Sequence, residues 1–349
     1  MSQKLYKKSN QAGMTLIEML ISMTVFLIAV GAVFGLLKFA TLQKKTASNR
    51  TDQLQSARLA LEYLRRDALN AGFGYHRTGG NAPDNIANSL FSIPPDPDVE
   101  RDLVTSIVAG NNINPNALSS GVSTDFVSFL SRDPNFNNGN LVNYDSASKS
   151  GNVVELNTPN GEAANCAVND VYLIEPKSGT TQIIAMVTGV SGNKIRIAMG
   201  DPLGLNQSAT GTGENLNLLM TTDSDGDLIN NGPGSIKKVN IVSYSVTNDG
   251  ILLRKVYGNQ TGTSQIESRE LVYGVGDLQI RYFMEDGTVV DNPSSNQSGR
   301  TNQLKMNSIV QVQLSVTVLP SADGPDNAPP TPVIIREYVS TRNLRYEAS

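Results

Sequence analysis

From Met19 to Leu37 the chain carries no charged residue. A helix over that run rises about 1.5 Å per residue and is long enough to cross the hydrocarbon core of a bilayer. This feature constrains the fold more than any other, because such a segment must lie in lipid or against other apolar chains. Lys4, Lys7 and Lys8 precede the run, and Lys38, Lys44 and Lys45 follow it, so flanking positive charge alone does not set its orientation. A secretory signal has a shorter apolar stretch followed by a small-residue cleavage site. Here the distinctive residues come first: Gly13 directly before the apolar sequence and Glu18 near its start. A carboxylate within a membrane helix costs about 2.5–3.5 kcal/mol at the centre and less near the interface, which marks Glu18 as a functional residue. Gly31 and Gly35 form a GxxxG pair, a spacing that lets helix backbones approach closely.

The helical pattern continues past Lys38. Leu54, Ala57, Leu61, Leu64 and Ala68 recur at intervals of three and four, the stripe of an amphipathic helix. Residues 43–53 are polar, and Ala71-Gly72 supplies a stop. A continuous helix from Met14 to Asn70 spans about 85 Å, so its two halves need different environments.

From about residue 120 the signal changes to strands. TDFVSFLSR, GNVVELN, DVYLIEP, TQIIAMVTGV and NKIRIAM are short β-branched runs. KKVNIVSYSVTNDGILLRKVYGN holds two strands around Asn248-Asp249-Gly250, a hairpin signal, and VSGNKI suggests a second hairpin. RELVYGVGDLQIRYFMEDG, SIVQVQLSVTVLP and REYVSTRNLRY complete the set. The pattern predicts an α+β chain whose antiparallel sheet lies against the helix. Residues 73–119 are polar and Pro-rich and read as a long excursion. SADGPDNAPPTP reads as an extended surface loop.

Composition excludes several kinds of chemistry. The 349 residues carry a formal net charge of −4, unlike a general nucleic-acid binder with its basic excess. One Cys, Cys166, and one His, His76, rule out an intramolecular disulfide and a Cys-rich zinc site. Cys166 reads as a small, partly buried residue and His76 as part of a Gly-rich helix exit. No phosphate-cradling loop, zinc HExxH or GxSxG elbow is present. The chain reads as a non-enzyme. One acidic segment, TTDSDGDLINNGPG, spaces Asp223, Asp225 and Asp227 so that they can converge on Ca²⁺, with Asn230 and Asn231 as further oxygen donors. It matches a calcium loop in part only: Leu228 replaces the glycine after the third Asp, and Gly234 stands where an EF-hand has Glu.

The order KKSNQAG followed by MTLIEMLISMTVFLIAV resembles the N-terminus of type IV prepilins and pseudopilins. That resemblance implies a leader, residues 1–13, removed by prepilin peptidase after Gly13, and N-methylation of the new terminus, Met14. It places Glu18 at the fifth mature position, where it serves assembly by pairing with the Met14 ammonium of a neighbouring subunit. Met14 departs from the Phe usual in major pilins; it is acceptable for minor pilins and slightly disfavours a major pilin. In the C-terminal half, IVSYSVTNDGILLRK, ELVYGVGDLQIRYFMEDG, VQVQLSVTVL and YVSTRNLRY resemble the PilW-type minor pilins, and the J-type pseudopilins of type II secretion share much of the pattern. The implied organisation is a membrane or filament-core helix over 14–40, an amphipathic helix over 41–72 and a periplasmic β-rich head over 73–349. The implied partners are prepilin peptidase, the inner membrane before assembly, and minor and major pilins in a filament at the cell surface. A type II secretion pseudopilin and a ligand-binding tip subunit, for adhesion or DNA uptake, are the alternative functions.

Overall fold

The computed structural model describes residues 14–94, 101–119, 121–177, 181–207, 214–222, 225, 228–229, 232–293, 305–319, 331–341 and 343. A single 55-residue helix, α1, runs from Leu16 to Asn70. Neither Gly31 nor Gly35 interrupts it, and a Cβ at either position would meet no neighbour within 4 Å. Its first buried residue is Gln53, and the buried set continues with Ala57, Ala60, Leu61, Leu64 and Ala68. None of its apolar window is buried inside the chain.

The remaining described chain is mostly strand. Its spine is Gly234–Val246, thirteen residues long. The first part of the spine pairs with both Val142–Tyr144 and Val171–Pro176, and the later part with both Val122–Arg132 and Leu252–Tyr257. One strand therefore ties two halves of the head together. A four-stranded sheet, Val289–Val290, Val275–Met284, Ile309–Val318 and Val333–Ser340, lies toward the C-terminus. Another, of Ser146–Ser150, Val153–Asn157, Gly189–Ser191 and Lys194–Ala198, covers the other end. Among the described residues the strand pairs are antiparallel, apart from one parallel bridge, Asn81 to Ile183. In Ile309–Val318 the alternation of Val312, Leu314, Val316 and Val318 with polar residues puts the apolar set inside, as period two requires.

The largest core joins α1 to both the spine sheet and the C-terminal sheet. Leu61 and Leu64 meet Val127, Phe129, Tyr244, Leu278, Leu314 and Val316 there. Ala57, Ala60 and Ala68 keep that helix face flat enough for sheets to approach. Polar contacts fix the helix end. Asp67 Oδ2 accepts from the Tyr244 hydroxyl at 2.6 Å and from Arg254 Nε at 3.0 Å. Arg65 Nε reaches Glu337 at 2.8 Å. Asn343 Nδ2 donates to the Leu69 carbonyl at 2.8 Å, occupying an acceptor that the helix end leaves open. Gly72, at φ +79°, turns the chain so that its N–H donates to the Leu130 carbonyl. Leu64 is fully buried. Leu64→Ala should destabilise the head by about 2–5 kcal/mol, read from the denaturation midpoint of the detergent-solubilised chain.

The structure corrects the reading of residues 73–119. Their described part is not an excursion over the surface. It contains the strands Gly80–Asn81, Leu103–Val104 and Ile107–Asn116 and the short helix Ile86–Phe91. Ile86, Leu90, Phe91 and Ile93 enter a second core with Tyr75, Leu173, Ile184 and Tyr257. The elements are too short and too rich in Asn and Pro to show a period. The Asn-Asp-Gly hairpin does form, between Val246 and Leu252. Gly250 sits at φ +71°, where an added Cβ would fall 2.9 Å from the Val275 carbonyl oxygen. SADGPDNAPPTP lies almost wholly outside the described residues.

Candidate functional site

The start of α1 combines the features that the sequence singled out. Thr15 is the N-cap, with extended backbone at φ −75° and ψ 149°. Its Oγ1 accepts from the Glu18 N–H at 3.3 Å. The Glu18 carboxylate reaches back, and its Oε2 accepts from the Thr15 N–H at 3.1 Å and from the Thr15 hydroxyl at 3.1 Å. This is a reciprocal capping box, which occupies otherwise orphaned donors of the first turn. The negative charge also lies at the positive end of the helix dipole. Both hydrogen bonds that the carboxylate accepts fall on Oε2. Oε1 accepts none from the described residues.

The rest of the apolar run is equally self-contained. Between Met19 and Leu37 the hydroxyl-bearing residues are Ser22 and Thr24. Ser22 donates to the Met19 carbonyl at 3.0 Å, and Thr24 to the Ile21 carbonyl at 2.8 Å. Each polar side chain in the run thus finds its partner within the helix, which an apolar medium demands. Leu16, Ile17, Leu20, Phe26, Ile28 and Phe34 are each more than half exposed. The only candidate membrane span among the described residues is this helix, and none of its apolar window is buried inside the chain.

Met14 and Glu18 are therefore neighbours on one helix end, on a face continued by Ile21, Ser22 and Val25. Gly13 lies outside the described residues. So do Asp223 and Asp227. Asp225 is exposed in a turn, and the strand pair Thr221–Thr222 and Leu228–Ile229 closes the loop. Among the described residues no cluster of three His, Cys, Asp or Glu side chains is placed to hold a metal. Cys166 is buried, and burial pushes its thiol up to about 12. His76 is half-buried rather than free on a loop, with Nδ1 2.9 Å from Thr78 Oγ1 and 2.7 Å from Gln182 Nε2, and burial lowers its pKa. Thr15 is the site residue that reading the sequence did not single out. Its signal was present: Thr15-Leu16-Ile17-Glu18 has the S/T-x-x-E spacing of a capping box.

No curated protein sequence matches this chain. Residues 8–34 match the family model described as the prokaryotic N-terminal methylation motif. The chain thus carries, at its N-terminus, the methylation motif of a type IV pilin-like prepilin, the substrate of a prepilin peptidase.

Proposed function

We propose that this chain is a PilW-like minor pilin. It is made as an inner-membrane prepilin with its head in the periplasm, cut after Gly13 and methylated at Met14. It then joins other minor pilins in the complex that primes or caps a type IV pilus. Its work is structural rather than catalytic. The observation that carries this reading is the division of α1: an apolar run up to Leu37 none of whose window is buried inside the chain, and a C-terminal part from Gln53 that is clamped into the head. Such a helix suits a lipid environment and, equally, the packed core of a filament made from similar helices. Glu18 is the residue that distinguishes the two environments, because its charge is a cost in lipid and a pairing device in a filament.

Glu18→Ala separates these roles. The variant should insert and be cleaved as the wild type is, since removing the charge eases insertion. Its incorporation into filaments should fall at least about tenfold, as expected for loss of a hydrogen-bonded ion pair. The measurement is the amount of subunit in sheared filaments relative to the membrane pool, with mass spectrometry of the mature N-terminus. Wild-type incorporation would overturn the assignment of Glu18. Pilins that co-purify with the wild-type subunit identify its machine. Components of a type II secretion system would move it to a pseudopilin role.

A further inference from the structure

We infer that the head binds a small carboxylate with an apolar body, in a cavity of about 490 Å³ where the end of α1 meets the spine sheet. The inference is independent of which filament the chain joins. The helix end and the turn after it supply Asp67 and Phe73, the strand Val122–Arg132 supplies Phe129 and Arg132, and the strand Leu252–Tyr257 supplies Arg254 and Val256. Apolar walls with a few convergent polar groups, at this volume, are the usual form of a small-ligand site. The charge of the lining selects the ligand. Two guanidinium groups stand against one carboxylate, which leaves a net positive charge. Asp67 is already engaged by the Tyr244 hydroxyl and Arg254 Nε, and its Oδ1 accepts from Arg66 Nε at 3.2 Å. Arg132 has no such partner. Its Nη2 donates to the Gly139 carbonyl, while its Nε is shielded from water and meets no acceptor among the described residues. A shielded donor on a charged group is costly to leave unmatched. A ligand carboxylate, whose two oxygens match the planar edge of a guanidinium, removes that cost. The surroundings of Arg132 fix its place. Its N–H donates to the Phe73 carbonyl at 2.7 Å. Gly74, at φ +59°, lets the aliphatic stem lie against the backbone, since a Cβ there would fall 2.9 Å from Arg132 Cδ. Phe73 is 47% exposed, a large ring left for the apolar body of the ligand to cover. Along α1, Asp67 lies about 45 Å beyond Leu37, past the reach of lipid headgroups, so the ligand comes from solution.

The probe is benzoate, with benzamide as its uncharged analogue of the same shape and inorganic phosphate as an anion without an apolar body. Each is titrated into the detergent-solubilised full-length chain near neutral pH and at constant ionic strength, and calorimetry follows the melting midpoint. A ligand of the folded chain raises the midpoint with its concentration, by mass action. Benzoate should do so; benzamide and phosphate should not. Arg132→Gln should weaken the affinity for benzoate, read from that concentration dependence, by at least about tenfold, the scale of a lost hydrogen bond to a charged group. Arg132→Lys keeps the charge and loses the planar fork, so its affinity should fall between the two. An Arg132 that serves only the fold behaves differently: Arg132→Gln then lowers the starting midpoint and leaves the benzoate increment unchanged, which would overturn the inference. So would equal effects of benzoate and benzamide, a phosphate effect as large as that of benzoate, or no rise with benzoate at all. The three probes compared on the wild type decide the matter even where a variant fails to fold.

Discussion

Gly13→Val should leave the leader attached to essentially all of the protein. The residue lies within the matched methylation motif, directly before Met14. Glycine lacks a Cβ, so a peptidase pocket shaped around it has no room for a branched side chain, and backbone conformations open to glycine close to valine. The uncut chain keeps Met14 nitrogen as an amide. No ammonium then exists there to be methylated or to make the pairing with Glu18 proposed above. One substitution should abolish cleavage, methylation and filament entry together, while the head domain folds as before. Intact-mass measurement of the membrane pool reads the first two and sheared filaments the third. A Gly13→Val protein that begins at Met14 would show that the cut depends on something other than this glycine.

Asp125→Ala should destabilise the head by about 1–3 kcal/mol, because it strands the Ile280 N–H in the interior and removes the acceptor of the Asn112 N–H. Among the described residues, the strand Val275–Met284 has one edge paired with Ile309–Val318, while its other edge pairs with a strand only at Tyr282 and Phe283. Elsewhere that edge is held by side chains from the Ile107–Asn116 and Val122–Arg132 hairpin and, at Val275, by the Gly250 carbonyl. Asp125 Oδ2 accepts from the Ile280 N–H at 2.7 Å, and Oδ1 from the Asn112 N–H at 2.9 Å. Asn116 Nδ2 donates to the Val275 carbonyl at 2.9 Å. Asp125 is 2% exposed, so water cannot take its place.

The same carboxyl gives the head a pH dependence. Burial raises its pKa to about 6; the Asn112 and Ile280 N–H groups oppose the rise, and the charges of Asp277 and Asp291 add to it. A folded-state pKa above the unfolded value means that ionisation is disfavoured in the fold. The contribution of Asp125 is therefore fully present below pH 4 and declines as pH rises through 6. Asp125→Asn cannot ionise and keeps only one acceptor. It should be less stable than the wild type at pH 4.5, with the gap narrowing by pH 7.5. Thermal melting of the detergent-solubilised chain at both values checks this. A gap that does not change with pH would mean that Asp125 stays ionised throughout.

The N-terminal methylation motif was legible because it is local. Gly13, Met14 and Glu18 fall within six consecutive positions of the sequence, and the apolar run is defined by consecutive residues. The strands were legible for a similar reason, since alternation as in Val312, Leu314 and Val316 is a property of one segment. The amphipathic stripe of α1 likewise announced that a sheet would cover it. What covers it was decided only by tertiary structure. Asp67 meets the Tyr244 hydroxyl across 177 residues, and Asp125 meets the Ile280 N–H across 155. In sequence these are ordinary residues of a helix or of strands, and no period connects the members of each pair. The same holds for Ile86, Leu90 and Phe91, apolar residues in a polar stretch whose burial depends on where the Val171–Pro176 and Ile183–Met186 strands pass. Periodicity sets which face of an element is apolar; the stacking of sheets sets which distant backbone donors and apolar faces come together, because that depends on the whole set of strand pairings at once.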